Sequence, residues 1–197
     1  MEYYDYKIAR DKAWETLIEC GVCELPINLA KVINHYGIYL VRYSDSNYIN
    51  RHSSPSEDGF SRLIDNKLVI YYNDTKSLHR VRFTLAHEVG HILLGHLEFG
   101  ETLHRNTECD VLDIKEQQAN VFARDILMPL TVLHSLNVSD YIDIMQYCNV
   151  SKTSAQIRYK RLLEVNKRCM FNKHPLERQV HNNFNEYIKK ALDSTNT

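Results

Sequence analysis

Arg82-Phe83-Thr84-Leu85-Ala86-His87-Glu88-Val89-Gly90-His91 decides how the rest of this 197-residue chain is read. Its last five residues form an H-E-x-x-H run. On an α-helix, residues i and i+4 lie on one face, so the imidazoles of His87 and His91 can reach a single metal ion. Glu88, one position on, points away from that pair and addresses a water on the metal rather than the metal itself. That is the place of a general base in metal-assisted hydrolysis. With 10 His and 13 Glu in the chain, chance alone produces the pattern only about 0.03 times. The competing reading is two histidines on the polar face of an ordinary amphipathic helix. Leu85, Ala86, Val89, Ile92, Leu93 and Leu94 leave little polar face besides the motif, so the pattern predicts a buried helix, apolar nearly all round. Buried His and Glu side chains need partners, and a metal supplies them.

A third protein ligand must come from elsewhere. His96 is one candidate, through the extended motif H-E-x-x-H-x-x-G-x-x-H. Gly95 and His96 stand four and five residues after His91, whereas that motif needs its glycine at three and its histidine at six. The register is wrong. His96 is expected instead in the last helical turn, where an imidazole suits the dipole. Glu116 is the better candidate. Positions i, i+3, i+4 and i+7 from it are Glu116, Ala119, Asn120 and Ala123, one carboxylate in a stripe of small side chains that lets a second helix approach closely. Asn120 is then placed to hydrogen-bond a ligand in support. Against this stands the reading of Glu116 as a solvated helix charge.

These residues carry a resemblance. The motif stretch, followed by Glu116-x-x-Ala119-Asn120-x-Phe122-Ala123 and Leu127-Met128-Pro129, looks like the ImmA/IrrE family of metallopeptidases, from about Leu68 to Pro129. Leu25-Pro26-Ile27-Asn28-Leu29-Ala30 and Gly37-Ile38 add a weaker echo upstream. Val89 stands where the family usually has Leu or Ile, and Arg124-Asp125-Ile126 where Ala-Glu-Leu is usual. The resemblance implies a zincin-like α+β fold: a small sheet packed on the H-E-x-x-H helix and on a following helix that carries a glutamate ligand, as in gluzincins. It implies His87, His91 and Glu116 as ligands of one Zn2+ and Glu88 as catalytic base. It also implies a substrate class, helix-turn-helix transcriptional repressors of phages or mobile elements. Imidazole–carboxylate sites also accept Mn2+ or Fe2+.

Composition agrees with an enzyme of this size. At 44% hydrophobic the chain can bury a core, and no run approaches the ~20 apolar residues that cross a bilayer. Met1-Glu2-Tyr3-Tyr4-Asp5 lacks the basic and apolar segments of a signal peptide, so a cytoplasmic location is expected, with no membrane partner. Five cysteines, an odd number, argue against a disulfide framework. Cys20-Gly21-Val22-Cys23 follows helical sequence rather than a strand, which makes it a helix end with incidental thiols, not a redox motif.

Periodicity orders the elements. A helix is expected over 5–19 with Ala9, Ala13, Trp14 and Leu17 inward, a second over 28–36 ending at Gly37, and a strand over 38–43. Ser44–Gly59 reads as a polar loop. Phe60–Ile64 and Leu68–Tyr72 form a hairpin around Asp65-Asn66. The motif helix begins near Ser77, a polar stretch spans about 98–110, and the Glu116 helix stops before Pro129. Leu68–Tyr72 is either an edge strand that holds an extended substrate or an interior strand that supports the core.

The C-terminal part differs in charge. Residues 151–197 hold 10 Lys or Arg against 4 Asp or Glu, net +6, leaving 14 basic and 21 acidic residues, net −7, in 1–150. The expected division is a metallopeptidase domain over 1–135 and a basic helical extension over 136–197 whose tail is open to disorder. Asp140–Cys148 and Ser151–Glu164 pack as a helix pair with Arg158, Lys160 and Arg161 on a basic face, which raises DNA binding or repressor docking as a rival role. No cluster of base-reading side chains accompanies it, so direct DNA binding is not favoured.

The function expected from all this is zinc-dependent endopeptidase action on a regulatory protein, by Glu88-assisted attack of metal-bound water. Tyr71, Tyr72 and His96 are candidates for an oxyanion donor. The alternative is a non-catalytic regulator, stabilised by its metal, that binds a repressor or DNA.

Overall fold

Periodic apolar spacing is realised element by element. A computed structural model of the chain describes residues 2–45, 56–97 and 109–195, with the backbone alone for 109–112 and 195. Most of the loop expected over Ser44–Gly59, and nearly all of the polar stretch over 98–110, lie outside the described residues. Helix α1 (Tyr3–Glu19) buries Ala9, Ala13, Trp14 and Leu17, the expected stripe. It closes at Gly21 (φ 57°), with Val22 N–H bonded to Leu17 O at 2.9 Å. Helix α2 (Leu29–His35) buries Leu29, Val32 and Ile33. Gly37 at φ 62° turns the chain into β1 (Tyr39–Arg42).

Strands β2 (Gly59–Ile64) and β3 (Lys67–Tyr72) form the expected hairpin. Asp65 and Asn66 both have positive φ, 46° and 61°, the type I′ turn whose twist matches the strands it joins. The sheet order is β1-β3-β2, with β1 parallel and β2 antiparallel to β3. Of the two readings of Leu68–Tyr72, the interior one is correct, because its backbone is paired on both sides. Among the described residues, the edge strand beside the motif helix is β2.

Helix α3 (Leu78–Leu93) starts at Ser77, whose side chain accepts from Arg80 N–H. It packs across β2 and β3 and buries Thr84, Ala86, Glu88, Val89, Gly90 and His91, whereas Leu78 at its start is exposed. The buried residues of α3 thus begin at Thr84 and end with the motif. Helix α4 (Cys109–Leu127) brings Ala119, Phe122 and Ala123 into the core. A Cβ on Gly90 would lie 3.0 Å from Phe122 Cδ1, so the glycine inside the motif is what permits the close helix approach expected from the small side chains of α4. The fold is α+β.

The chain divides into two compact units, residues 1–12 with 29–123 and residues 13–28 with 124–197. The second is helical: α5 (Leu130–Ser135), α6 (Tyr141–Cys148), α7 (Lys152–Lys167), α8 (Pro175–Asn183) and α9 (Asn185–Thr195). Asp140 caps α6 in a capping box, Asn149 at φ 51° ends it, and Ser151 caps α7. One expectation is corrected. Arg158 does not join a basic face, because Ala155, Arg158 and Leu162 form one buried stripe of α7. Its guanidinium donates from Nη2 to Asp125 Oδ1 at 2.7 Å and from Nε to Met128 O at 2.6 Å. Cys20 and Cys148 are buried, Cys23 and Cys169 exposed, and all four are thiols. Among the described residues, no helix is long and apolar enough to cross a membrane.

Candidate metal centre

Two histidines one helical turn apart on α3 meet a glutamate from α4. His87 Nε2 and His91 Nε2 lie 3.0 Å apart. Glu116 straddles them, with Oε2 at 3.3 Å from His87 Nε2 and Oε1 at 3.2 Å from His91 Nε2. Nitrogen and oxygen ligands about 2.0–2.1 Å from a tetrahedral zinc stand roughly 3.3 Å from one another. The three separations are of that size, although the two to Glu116 reach different carboxylate oxygens, and one ligand atom from each residue lies within 4.8 Å of the others. The donor chemistry fits too, since two imidazole nitrogens aimed at one point cannot both satisfy the other, while a divalent cation satisfies all three groups.

The centre is asymmetric in exposure. His91 is buried and His87 nearly so, whereas the Glu116 side chain is 54% exposed. The open side faces a cavity of about 370 Å³ whose lining includes Glu88, Ser61, Phe83, Arg80 and Asn120. Hydrogen bonds from His87 and then His91 hold Glu116 far below the usual carboxylate range. Burial pulls His87 down, but Glu116 and Glu88 outweigh it and raise its pKa.

Glu88 is buried beside the two histidines, and Ser61 Oγ donates to its Oε2 at 2.8 Å. Ser61 comes from β2, which approaches α3 closely because of Gly59: a Cβ there would lie 2.6 Å from Thr84 Cγ2. At the start of α3, Arg80 donates from Nε to Asp58 Oδ1 at 3.0 Å, tying the helix to the residue before β2. That pair raises Arg80 and lowers Asp58.

His96 is placed differently from expectation. It lies beyond α3, because Gly95 at φ 70° turns the chain back and His96 N–H bonds His91 O at 2.9 Å. This two-bond helix ending, completed by Gly95 N–H to Ile92 O, folds the imidazole under the helix. His96 is 4% exposed, and its Nδ1 meets His91 Nδ1 at 3.1 Å. Burial first, then His91, lowers its pKa to about 4, so it is neutral at pH 7 rather than a cation on the helix dipole.

The other sequence candidates separate. Asn120 lines the cavity, and its side chain contributes to raising His87. Tyr71 stacks on Phe60 at 4.9 Å and Tyr72 accepts a hydrogen bond from Arg42, and neither lines the cavity. Ser61 and Gln118 were missed. A lone serine in a strand and the third residue of Glu116-Gln117-Gln118 carry no local signal.

Among known families, the peptidase model described as the IrrE N-terminal-like domain matches residues 34–160, well over half of the chain and all of α3 and α4. No curated protein matches it. Carrying both the motif helix and the glutamate helix within that match, the chain belongs to the ImmA/IrrE family of metallopeptidases.

Proposed function

We propose that this chain is a zincin-like, zinc-dependent endopeptidase acting in the cytoplasm on a regulatory protein, a helix-turn-helix repressor. The observation that carries the reading is the convergence of His87, His91 and Glu116 beside Glu88 at an open cavity. The three side chains would hold the ion, with Asn120 beside His87. Zinc bound there supplies Lewis acidity toward a peptide carbonyl and makes water acidic enough to deprotonate near neutral pH. Glu88 takes the proton of the attacking water as its oxygen adds to the carbonyl carbon. It returns that proton to the leaving nitrogen as the C–N bond breaks. Ser61 keeps one oxygen of Glu88 turned in a fixed direction while the proton moves. The edge of β2 that is unpaired among the described residues, with Gly59, Phe60 and Ser61 lining the cavity, supports docking of the substrate as an added strand.

Among the described residues His87, His91 and Glu116 form the candidate ligand group without a fourth member, whereas a purely structural ion would be closed off by a fourth protein ligand. Burial of Arg158 removes one of three cations from the face that suggested DNA binding. The test is incubation of the zinc-loaded protein with a helix-turn-helix repressor encoded beside it, wild type next to Glu88→Gln. Cleavage by wild type, lost by at least about 100-fold in the variant with zinc retained, is the expected result. An uncut complex with both forms would turn the reading toward a binding regulator.

A further inference from the structure

Behind His91 runs a line of side chains that the reaction itself does not use. His91 Nδ1 lies 3.1 Å from His96 Nδ1. His96 Nε2 lies 3.0 Å from Gln118 Oε1, and Gln118 Nε2 donates to the backbone carbonyl of Asp5 at 3.4 Å. His91, His96 and Gln118 are all buried.

The far end sets the direction. A backbone carbonyl can only accept, so Gln118 turns its NH2 toward Asp5 and its own carbonyl oxygen toward His96. That oxygen can only accept, so His96 carries its proton on Nε2. Its Nδ1 is then a lone pair, and the proton between the two Nδ1 atoms belongs to His91. In the neutral ring His91 Nε2 is then bare and faces His87 and Glu116, and its hydrogen bond to Glu116 needs a second proton, the one that a metal ion displaces. A metal ligand needs that tautomer, and the group that fixes it is usually a carboxylate, a backbone carbonyl or water. Here a neutral imidazole backed by an amide stands in its place.

Resting on the metallopeptidase reading, the geometry points to His96 and Gln118 as positioning residues, a one-way hydrogen-bond relay that locks His91 as the Nδ1–H tautomer and aims its Nε2 at the metal. Gly95 is what makes the relay reachable, because its left-handed turn carries His96 back under the last turn of α3.

Long-range proton–nitrogen spectra of the 15N-labelled, zinc-loaded full chain read the tautomers directly. His96 should show a protonated Nε2 and a bare Nδ1. The opposite tautomer, or a doubly protonated His96 ring at neutral pH, would overturn the relay. Gln118→Leu removes the acceptor and should weaken zinc affinity about 10–100-fold in chelator competition, with His96 becoming a mixture of tautomers. Gln118→Glu keeps an acceptor oxygen toward Nε2 and should restore the tautomer and most of the affinity. Zinc binding by Gln118→Leu within about twofold of wild type refutes the relay, since removal of such a partner typically costs far more. Should Gln118→Leu not fold, the wild-type spectrum and Gln118→Glu still decide. A wild type that binds no zinc, or binds it equally well as Glu116→Ala, refutes the metal reading itself. A wild type that binds zinc through these ligands with the wrong His96 tautomer refutes the relay alone.

Discussion

Helix α4 carries two carboxylates that the protein treats in opposite ways. Glu116 is half exposed and faces two imidazoles at 3.3 and 3.2 Å. Asp125, nine residues further on, is 2% exposed and meets Arg158 at 2.7 Å and Arg124 at 3.1 Å. Burial alone would raise the pKa of Asp125, but Arg158 and then Arg124 outweigh it and hold the carboxyl below its usual value. Its counter-charge is permanent. The partners of Glu116 are cationic only when protonated, and a metal ion competes directly with those protons. A carboxylate sealed against an arginine fastens a fold. One that shares an open cavity with two imidazoles is suited to hold a metal ion.

Breaking the sealed pair should have the largest effect. Asp125→Asn leaves Arg158 buried without its anion and is expected to cost about 3–5 kcal/mol in urea unfolding, with zinc affinity of the folded protein unchanged. Loss of zinc affinity in a folded Asp125→Asn protein would show that the two carboxylates are not separable. The same residue sets an acid limit. Its folded pKa lies below the unfolded value of about 3.9, so its contribution is complete above ~pH 4 and is lost as pH falls through the folded value. Unfolding followed downward from pH 5 should steepen below ~pH 4 in wild type and flatten in Asp125→Asn.

Glu116→Ala sharpens the other half of the comparison. Losing one ligand of four is expected to remove roughly a quarter of the ~10–16 kcal/mol of a zinc site, or 10²–10³-fold in affinity. The metal-free protein should unfold within about 1 kcal/mol of wild type, since solvent screens the half-exposed Glu116 carboxylate. Unchanged zinc affinity would exclude Glu116 from the ligand set. Ser61→Ala should have the smallest effect: cleavage slowed about tenfold, near 1.4 kcal/mol of barrier, with zinc affinity intact. A rate equal to wild type would leave the Ser61–Glu88 bond without a part in positioning the base.

Local rules made much of this legible. The H-E-x-x-H spacing, the Ser77 cap, the Asp65-Asn66 turn and the stop at Pro129 each act over a few residues, and each appears where periodicity puts it. Ala119 and Ala123 lie in the core near Glu116, as their spacing from it foretold. The two misreadings differ in range. Arg158 looked like a surface cation because charge is usually solvated, and its acceptors, Asp125 and Met128, are 33 and 30 residues away. His96 looked like the end of a helix because nothing in Gly95-His96 reports the direction in which the chain turns.

Legible in the sequence alone were the elements through α4 and the α6–α7 pair, the two histidines that share a helical face, the acid placed beside them and the glutamate most suited to join them. Those depend on helical period and side-chain chemistry. Tertiary structure decided that β2 rather than β3 offers an edge, that Gly90 admits Phe122, that Ser61 holds Glu88 and that His96 sits behind His91. Such contacts join residues brought together by sheet pairing, helix packing and the hand of a turn, and a side chain's own identity does not disclose which distant partner will satisfy it.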